Sequence, residues 1–350
     1  MSTYTTRYFG KIQEGAVRSA RATVPLIIGW IQPSSVVDVG CGNGTWLSVF
    51  REMGVGHVLG IDGDYVNRDQ LLIPVDSFVA ADLSNPPPVE ERFDLAVSLE
   101  VAEHLPPEHA DRFIRFVTSL APVVMFSAAI PHQGGADHVN EQWPDYWAAI
   151  FEKCGFTPVD CLRPRLWTND AVEWWYAQNI LLFLRPSDLR RFPQLAHEAE
   201  LSRGRPFAVV HPKGYAMRVE WARGIDQVRR ELSPFTPLNG TLILIDDGQS
   251  IFPDGGSTRP FLERNGVYWG PPTDDGVAIR EVERMIAEGA TCIAIGWPAF
   301  WWLDYYQEFA RHLRENFPCL HASKHLLVFD LQKRHKCYLR RGAAKRRLST

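Results

Sequence analysis

The chain has 350 residues, a formal net charge of −4, 45% hydrophobic residues and 22% charged residues. This is the composition of a soluble globular protein with room for one large or two ordinary domains. The balanced charge gives no overall pull toward nucleic acid or an anionic membrane. Cysteines stand at positions 41, 154, 161, 292, 319 and 337, with no CxxC pair to suggest a zinc knuckle or a redox couple. Free thiols fit a reducing compartment, MSTYTTRYFG lacks the parts of a signal peptide, and the apolar runs fall far short of a membrane span. A cytoplasmic protein with no membrane span is expected.

In chain order, residues 8–30 carry spaced apolar positions and predict a leading helix. SSVVDVG reads as a strand, GTWLSVFREMG as a helix, and HVLGID and SFVAADL as strands. FDLAVSL is a strand, PEHADRFIRFVTSLAP a helix, VVMFSAAI a strand and NEQWPDYWAAIFEKCGF a helix. TPVDCL and NILLFLR are strands without a long helix between them, so one is expected to run antiparallel. The alternation predicts an α/β fold with a mostly parallel sheet covered on both faces. Residues 187–238 read as a partly helical connector. Residues 239–332 alternate again and predict a smaller α/β domain with strands TLILIDD, TCIAIGW and HLLVFDL. In that domain Phe300, Trp301, Leu303 and Tyr306 are expected to form a helix's core face. Residues 333–350 form a basic tail, expected to be solvated, with contact to a membrane or polyanion as the rival reading.

The segment VVDVGCGNGTWL sends a strand through Gly40, Cys41, Gly42, Asn43 and Gly44 into a helix. A dinucleotide fingerprint, G-x-G-x-x-G, wants its third small residue at position 45, which here is Thr45. Asp38, two residues before the first glycine, argues against a pyrophosphate at a helix N-terminus and suits a cofactor carrying an amino group. Asp62 ends the second strand, where an acid accepts from ribose hydroxyls in both cofactor types. Asp82 ends the third and Glu100 follows the fourth. Four strand-end acids make an electronegative rim, suited to a sulfonium and hostile to a diphosphate.

VVDVGCGNGTWL, VLGIDGD, VAADL and FDLAVSLEVAEHLP together resemble the successive motifs of class I S-adenosylmethionine-dependent methyltransferases, across residues 8–186. The resemblance implies a Rossmann-like seven-stranded sheet whose last strand is antiparallel, in a domain spanning residues 1–186. It implies S-adenosyl-L-methionine as cofactor. Asp38 and the loop Gly40–Gly44 would hold its methionine end, Asp62 with Gly63 its ribose, and Asp82 with Leu83 its adenine. Ser98 and Glu100 would close the pocket from below.

Residues 127–147 follow the fifth strand and carry His132 and His138 on a glycine-containing loop. An alcohol acceptor needs help in losing its proton, whereas an amine needs less, so both histidines are candidate acid/base residues, His138 first. His104, Asn140, Glu141, Tyr176 and Gln178 are candidate substrate contacts, with Trp174 and Trp175 as a wall. Tyr8 and Phe9 are positioned as a lid. His132, Asp137 and His138 match no standard metal-ligand spacing, so no metal is expected. HVNEQW resembles a subset of bacterial methyltransferases, some tied to cell-surface glycans, and the second domain resembles an accessory module of glycan-assembly proteins. The reading is O-methylation of a sugar or other small polar metabolite, without nucleic acid; for the C-terminal domain, substrate recognition, a homo-oligomer contact and a separate ligand site stay open. The alternatives are an N-methyltransferase, a cofactor-binding scaffold protein, and a nucleic-acid methyltransferase using the tail. The last is disfavoured by SLEVAEH in place of an NPPY- or DPPY-type motif.

Overall fold

A computed structural model of the protein describes residues 6–235, 240–249 and 258–334, with side chains from residue 13 onward. The side chains of Tyr8 and Phe9, the middle of the long Gly/Pro loop and nearly all of the basic tail lie outside the described residues. Among the described residues no helix is long and apolar enough to cross a membrane. The chain divides into two compact units, Met1–Arg218 and Val219–Thr350. The division falls inside the expected connector.

The first unit is built on a seven-stranded sheet in the order β3-β2-β1-β4-β5-β7-β6. Its strands are β1 Ser35–Val39, β2 His57–Asp62, β3 Phe78–Ala80, β4 Leu95–Leu99, β5 Val123–Ser127, β6 Thr157–Val159 and β7 Leu181–Leu184. Strands β1 to β5 run parallel, and β7 lies antiparallel to both β5 and β6. Central parallel strands are covered on both faces, which is why LAVSL and VVMFS are buried along their whole length.

Helices α1 Thr6–Ile31 and α2 Thr45–Glu52 cover one face. The buried residues of α1, Ala16, Ala20, Val24, Ile27 and Ile31, recur every three or four positions and form its inner stripe. Helices α3 Ala110–Leu120 and α4 Pro144–Lys153 cover the other through Phe113, Val117, Trp147 and Phe151. The short helices α5 Arg163–Leu166 and α6 Trp174–Asn179 carry the chain from β6 to β7, and α7 Pro193–Ser202 adds Leu195 to the first core.

One boundary differs from expectation in a way that matters to the site. Helix α4 begins at Pro144, not at Asn140. Proline suits the first helical turn, where its missing N–H is no loss. Residues before it are pinned elsewhere: the amides of Val139 and Asn140 donate to the Glu103 carbonyl, at 2.9 and 3.0 Å. Asn140 and Glu141 therefore sit on a loop that is tied to the end of β4.

Helix α8, Pro212–Leu232, leads into the second unit. Its sheet has five strands, in the order β13-β14-β12-β8-β9. These are β8 Thr241–Ile245, β9 Thr258–Pro260, β12 Ala290–Gly296, β13 Cys319–Ala322 and β14 Leu326–Asp330, beside a small hairpin of β10 Glu263–Arg264 and β11 Val267–Tyr268. The sequence pattern reveals only three of the five, because β9 and β13 are short and partly exposed edge strands with little apolar content. Helix α9, Asp275–Ala287, starts at Asp274, whose carboxylate accepts from the Val277 amide at 2.8 Å.

The single aromatic helix expected after β12 is broken at Tyr306 into α10 Trp301–Tyr305 and α11 Gln307–Asn316. The break alters the core face. Trp302 and Tyr306 are fully buried, while Phe300, Trp301 and Leu303 pack at its margin.

Candidate functional site

The glycine loop crosses the carboxyl end of the sheet. Gly40, Gly42 and Gly44 have φ of 86°, 54° and 82°, the left-handed region that side chains avoid. The Gly40 amide donates to the Ile61 carbonyl at 2.7 Å, and a Cβ on Gly40 would stand 2.2 Å from the Val101 side chain. Gly40→Ala combines a steric clash with a strained φ. It is expected to cost about 2–3 kcal/mol of stability and to remove cofactor binding, as checked by denaturant unfolding and calorimetry.

Beyond the loop lies a cavity of about 920 Å³, lined by Gly40, Gly42, Asp62, Gly63, Tyr65, Asp82, Leu83, Glu100, Val101 and His104 among others. Asp62 organises it. Its carboxylate accepts from the amides of Gly42 and Gly63, both at 2.6 Å, and from the Tyr65 hydroxyl at 2.5 Å. Burial and the Asp62 carboxylate push the Tyr65 phenol up. Asp38 is buried in β1, and burial followed by the Asp62 charge raises its carboxyl well above the usual range. The Ser84 hydroxyl and amide hold exposed Asp82 below its ordinary value.

Glu100, at φ 56°, leads a buried polar network. It accepts from the Gln133 amide at 2.8 Å and from the Asn179 amide at 3.1 Å. Gln133 in turn accepts from Asn179 and Gln178, at 2.8 and 3.1 Å. Burial raises the Glu100 carboxyl, and the bonds from Asn179, Ser127 and Gln133 offset part of that rise.

His104 and His138 meet edge to face, with ring centroids 4.8 Å apart. His138 Nδ1 lies 2.9 Å from Glu141, which also accepts from the amides of His132 and Gly134, at 2.7 and 2.8 Å. Burial alone would raise the Glu141 carboxyl, but the bonds from His138, Gly134 and His132 outweigh it and hold the group below its ordinary value. Burial, then His138, lowers the basicity of His104. Beside the two rings is Glu103, fully buried and with no hydrogen-bond partner of good geometry on either carboxyl oxygen.

Of the residues expected to bind cofactor, Gly40, Gly42, Asp62, Gly63, Asp82, Leu83 and Glu100 line the cavity. Asp38, Cys41, Asn43, Gly44 and Ser98 are not among the lining residues. Cys41 and Ser98 are buried, and Asn43 bonds Thr45 at 2.7 Å. Of the expected acceptor contacts only His104 lines the cavity, with His138 and Glu141 close behind. Gln178 is buried in the amide network, and the Asn140 side chain accepts from Gln142 at 3.1 Å. Tyr176 packs edge-on to Trp46 at 5.2 Å within the first core. His132 is exposed at φ 66°. Sequence reasoning passed over Tyr65, Glu103 and Gln133. Glu103 had a signal, since it neighbours His104 in a segment already singled out.

The cavity's lining holds four acids, Asp62, Asp64, Asp82 and Glu100, and no lysine or arginine. A diphosphate finds no counter-charge there, whereas an amino group and a sulfonium do. Fold and cavity together define an S-adenosylmethionine-dependent methyltransferase domain of class I. Residues 9–179 match the family model described as a methyltransferase domain.

Among solved structures, the chain is similar to a magnesium protoporphyrin IX methyltransferase from Synechocystis PCC 6803 with bound SAH, at 17% identity over 53% of this chain and 90% of that one, TM-score 0.37. It is also similar to the SAM-bound amino pentose methyltransferase CalS10 from Micromonospora echinaspora, at 14% identity over 53% and 99%, TM-score 0.40. A third is the mitomycin 7-O-methyltransferase MmcR, at 15% identity and TM-score 0.36; the match covers 51% of this chain and only 56% of that one. No curated protein matches the chain.

Proposed function

We propose that the protein methylates a hydroxyl oxygen of a small polar acceptor, a sugar or similar metabolite. The observation that carries this reading is the corner formed by His104 and His138 at the cavity's edge, with His138 fastened by Glu141 at 2.9 Å. A hydroxyl has a pKa far above neutrality and needs such a corner, whereas an amine needs only aim. S-adenosylmethionine supplies, when bound, a methyl group on a sulfonium centre. Gly40, Gly42 and Asp62 would hold it, with Asp82 and Leu83 toward its base. The cavity, at about 920 Å³, has room for a cofactor and a small acceptor together. The buried Glu100–Gln133–Asn179 network fixes the floor on which the two are placed. The second unit is read as an accessory module outside the chemistry and as the site of a homo-oligomer contact.

The test is a methyl-transfer screen over sugars and small alcohols, followed by His138→Ala. Turnover is expected to fall about 100- to 1,000-fold, with S-adenosylhomocysteine affinity kept. Full turnover in the variant, or transfer confined to amines, would overturn the reading.

A further inference from the structure

We propose that Glu103, His104 and His138 bind a divalent transition-metal cation at the edge of the cofactor cavity, reversing the expectation of no metal that the sequence spacing gives. The inference rests on the methyltransferase reading and names the device by which the corner would act.

Three side chains from two separate segments converge here. One ligand atom from each lies within 4.8 Å of the others, and among the described residues no other group of three histidine, cysteine or carboxylate side chains is brought together in this way. The amides of Val139 and Asn140 hold the His138 loop to the Glu103 carbonyl, so the convergence is fixed by backbone. Bonds of about 2.1 Å at tetrahedral angles set ligand atoms about 3.4 Å apart, so the widest pair must close by roughly an ångström or more when a cation is seated.

The second observation is independent of the spacing. Glu103 is 0% exposed, and neither carboxyl oxygen has a hydrogen-bond partner of good geometry; the nearby amides of Glu103 and Ala129 compensate its burial only in part. Buried polar groups are normally paired, and a buried carboxylate without a partner is among the costliest features a fold can carry. A cation is the partner that this geometry admits.

The donor chemistry narrows the choice. Two imidazoles and one carboxylate suit zinc, manganese or cobalt rather than calcium or magnesium, which prefer oxygen alone. His138 Nδ1 is committed to Glu141, which leaves Nε2 for ligation, in the carboxylate–histidine–metal arrangement common at such sites. His104 is exposed and lines the cavity, so the cation keeps open positions on that side. An acceptor hydroxyl bound there would have a lowered pKa and release its proton to water.

The experiment uses the full chain, stripped with chelator and titrated by calorimetry with Zn²⁺, and by visible absorption with Co²⁺, whose bands report imidazole ligation. One saturable equivalent is expected. Glu103→Gln and His138→Ala should each weaken it about 10- to 100-fold, with S-adenosylhomocysteine affinity within about 2-fold of the wild type. Should either variant fail to fold, the wild type is treated with diethyl pyrocarbonate with and without Zn²⁺, and protection of His104 and His138 is read by mass spectrometry. No saturable binding up to about 1 mM, binding undiminished in both variants, or no protection would overturn the proposal. S-adenosylhomocysteine binding without metal binding would leave the methyltransferase reading standing. Metal binding without S-adenosylhomocysteine binding would overturn that reading instead.

Discussion

Asp62→Ala is expected to lower affinity for S-adenosylhomocysteine about 100-fold, equivalent to about 2.7 kcal/mol. One carboxylate fastens three groups around the cavity: the Gly42 amide, the Gly63 amide and the Tyr65 hydroxyl. Hydrogen bonds to a charged group contribute about 1.5–3 kcal/mol each, so alanine loosens the loop as well as removing an acceptor from the ribose position. Stability should fall as well, offset in part at Asp38. The Asp62 charge is the second cause, after burial, of the raised Asp38 carboxyl, and its removal relieves that repulsion. Calorimetric titration, with circular dichroism as the check on folding, decides the matter. An affinity within about 3-fold of the wild type would remove Asp62 from cofactor binding.

Trp302→Ala is expected to destabilise the second unit by about 3–5 kcal/mol. Trp302 is fully buried, 6.0 Å from the Phe261 ring and 5.3 Å from Tyr306. Its indole nitrogen has no hydrogen-bond partner, so the loss is one of packing and cavity formation. In a calorimetric scan of the full chain, the transition of the second unit should fall by more than about 10 °C. S-adenosylhomocysteine affinity should be unchanged, because the cavity's lining residues all belong to the first unit. A shift below about 3 °C would contradict the packing argument. A parallel loss of cofactor affinity would contradict the accessory role of the second unit.

Much of this protein is legible in the chain itself. Short apolar runs such as LAVSL and VVMFS, bounded by turn residues, read as strands buried on both faces, and their alternation with helices points to the mostly parallel sheet that forms. Gly40, Asp62 and Asp82 fall at strand ends because the αβ repeat puts them there, so the cofactor cavity follows from local pattern. Where local pattern is weak, the reading stops. The edge strands Thr258–Pro260 and Cys319–Ala322 take their conformation from a neighbour's hydrogen bonds rather than from their own side chains. The break at Tyr306, which sets Trp302 in the core in place of Trp301, is likewise enforced by packing.

The acceptor corner divides the same way. His104 and His138 are visible in the sequence as histidines near the end of the sheet, but their meeting is not. Linear spacing groups His138 with His132 and Asp137; the fold groups it with Glu103 and His104, more than thirty residues earlier. Tyr176 and Gln178, which look like acceptor contacts, are drawn into the core and the amide network. By itself the sequence determined the sheet, the glycine loop and the acids at its edge, because strand and helix periodicity act over a few residues. Tertiary structure alone decided which histidines face each other, which carboxylate is left buried without a partner, and which aromatics are core. Those outcomes depend on backbone contacts between segments far apart in the chain, and no local pattern encodes them.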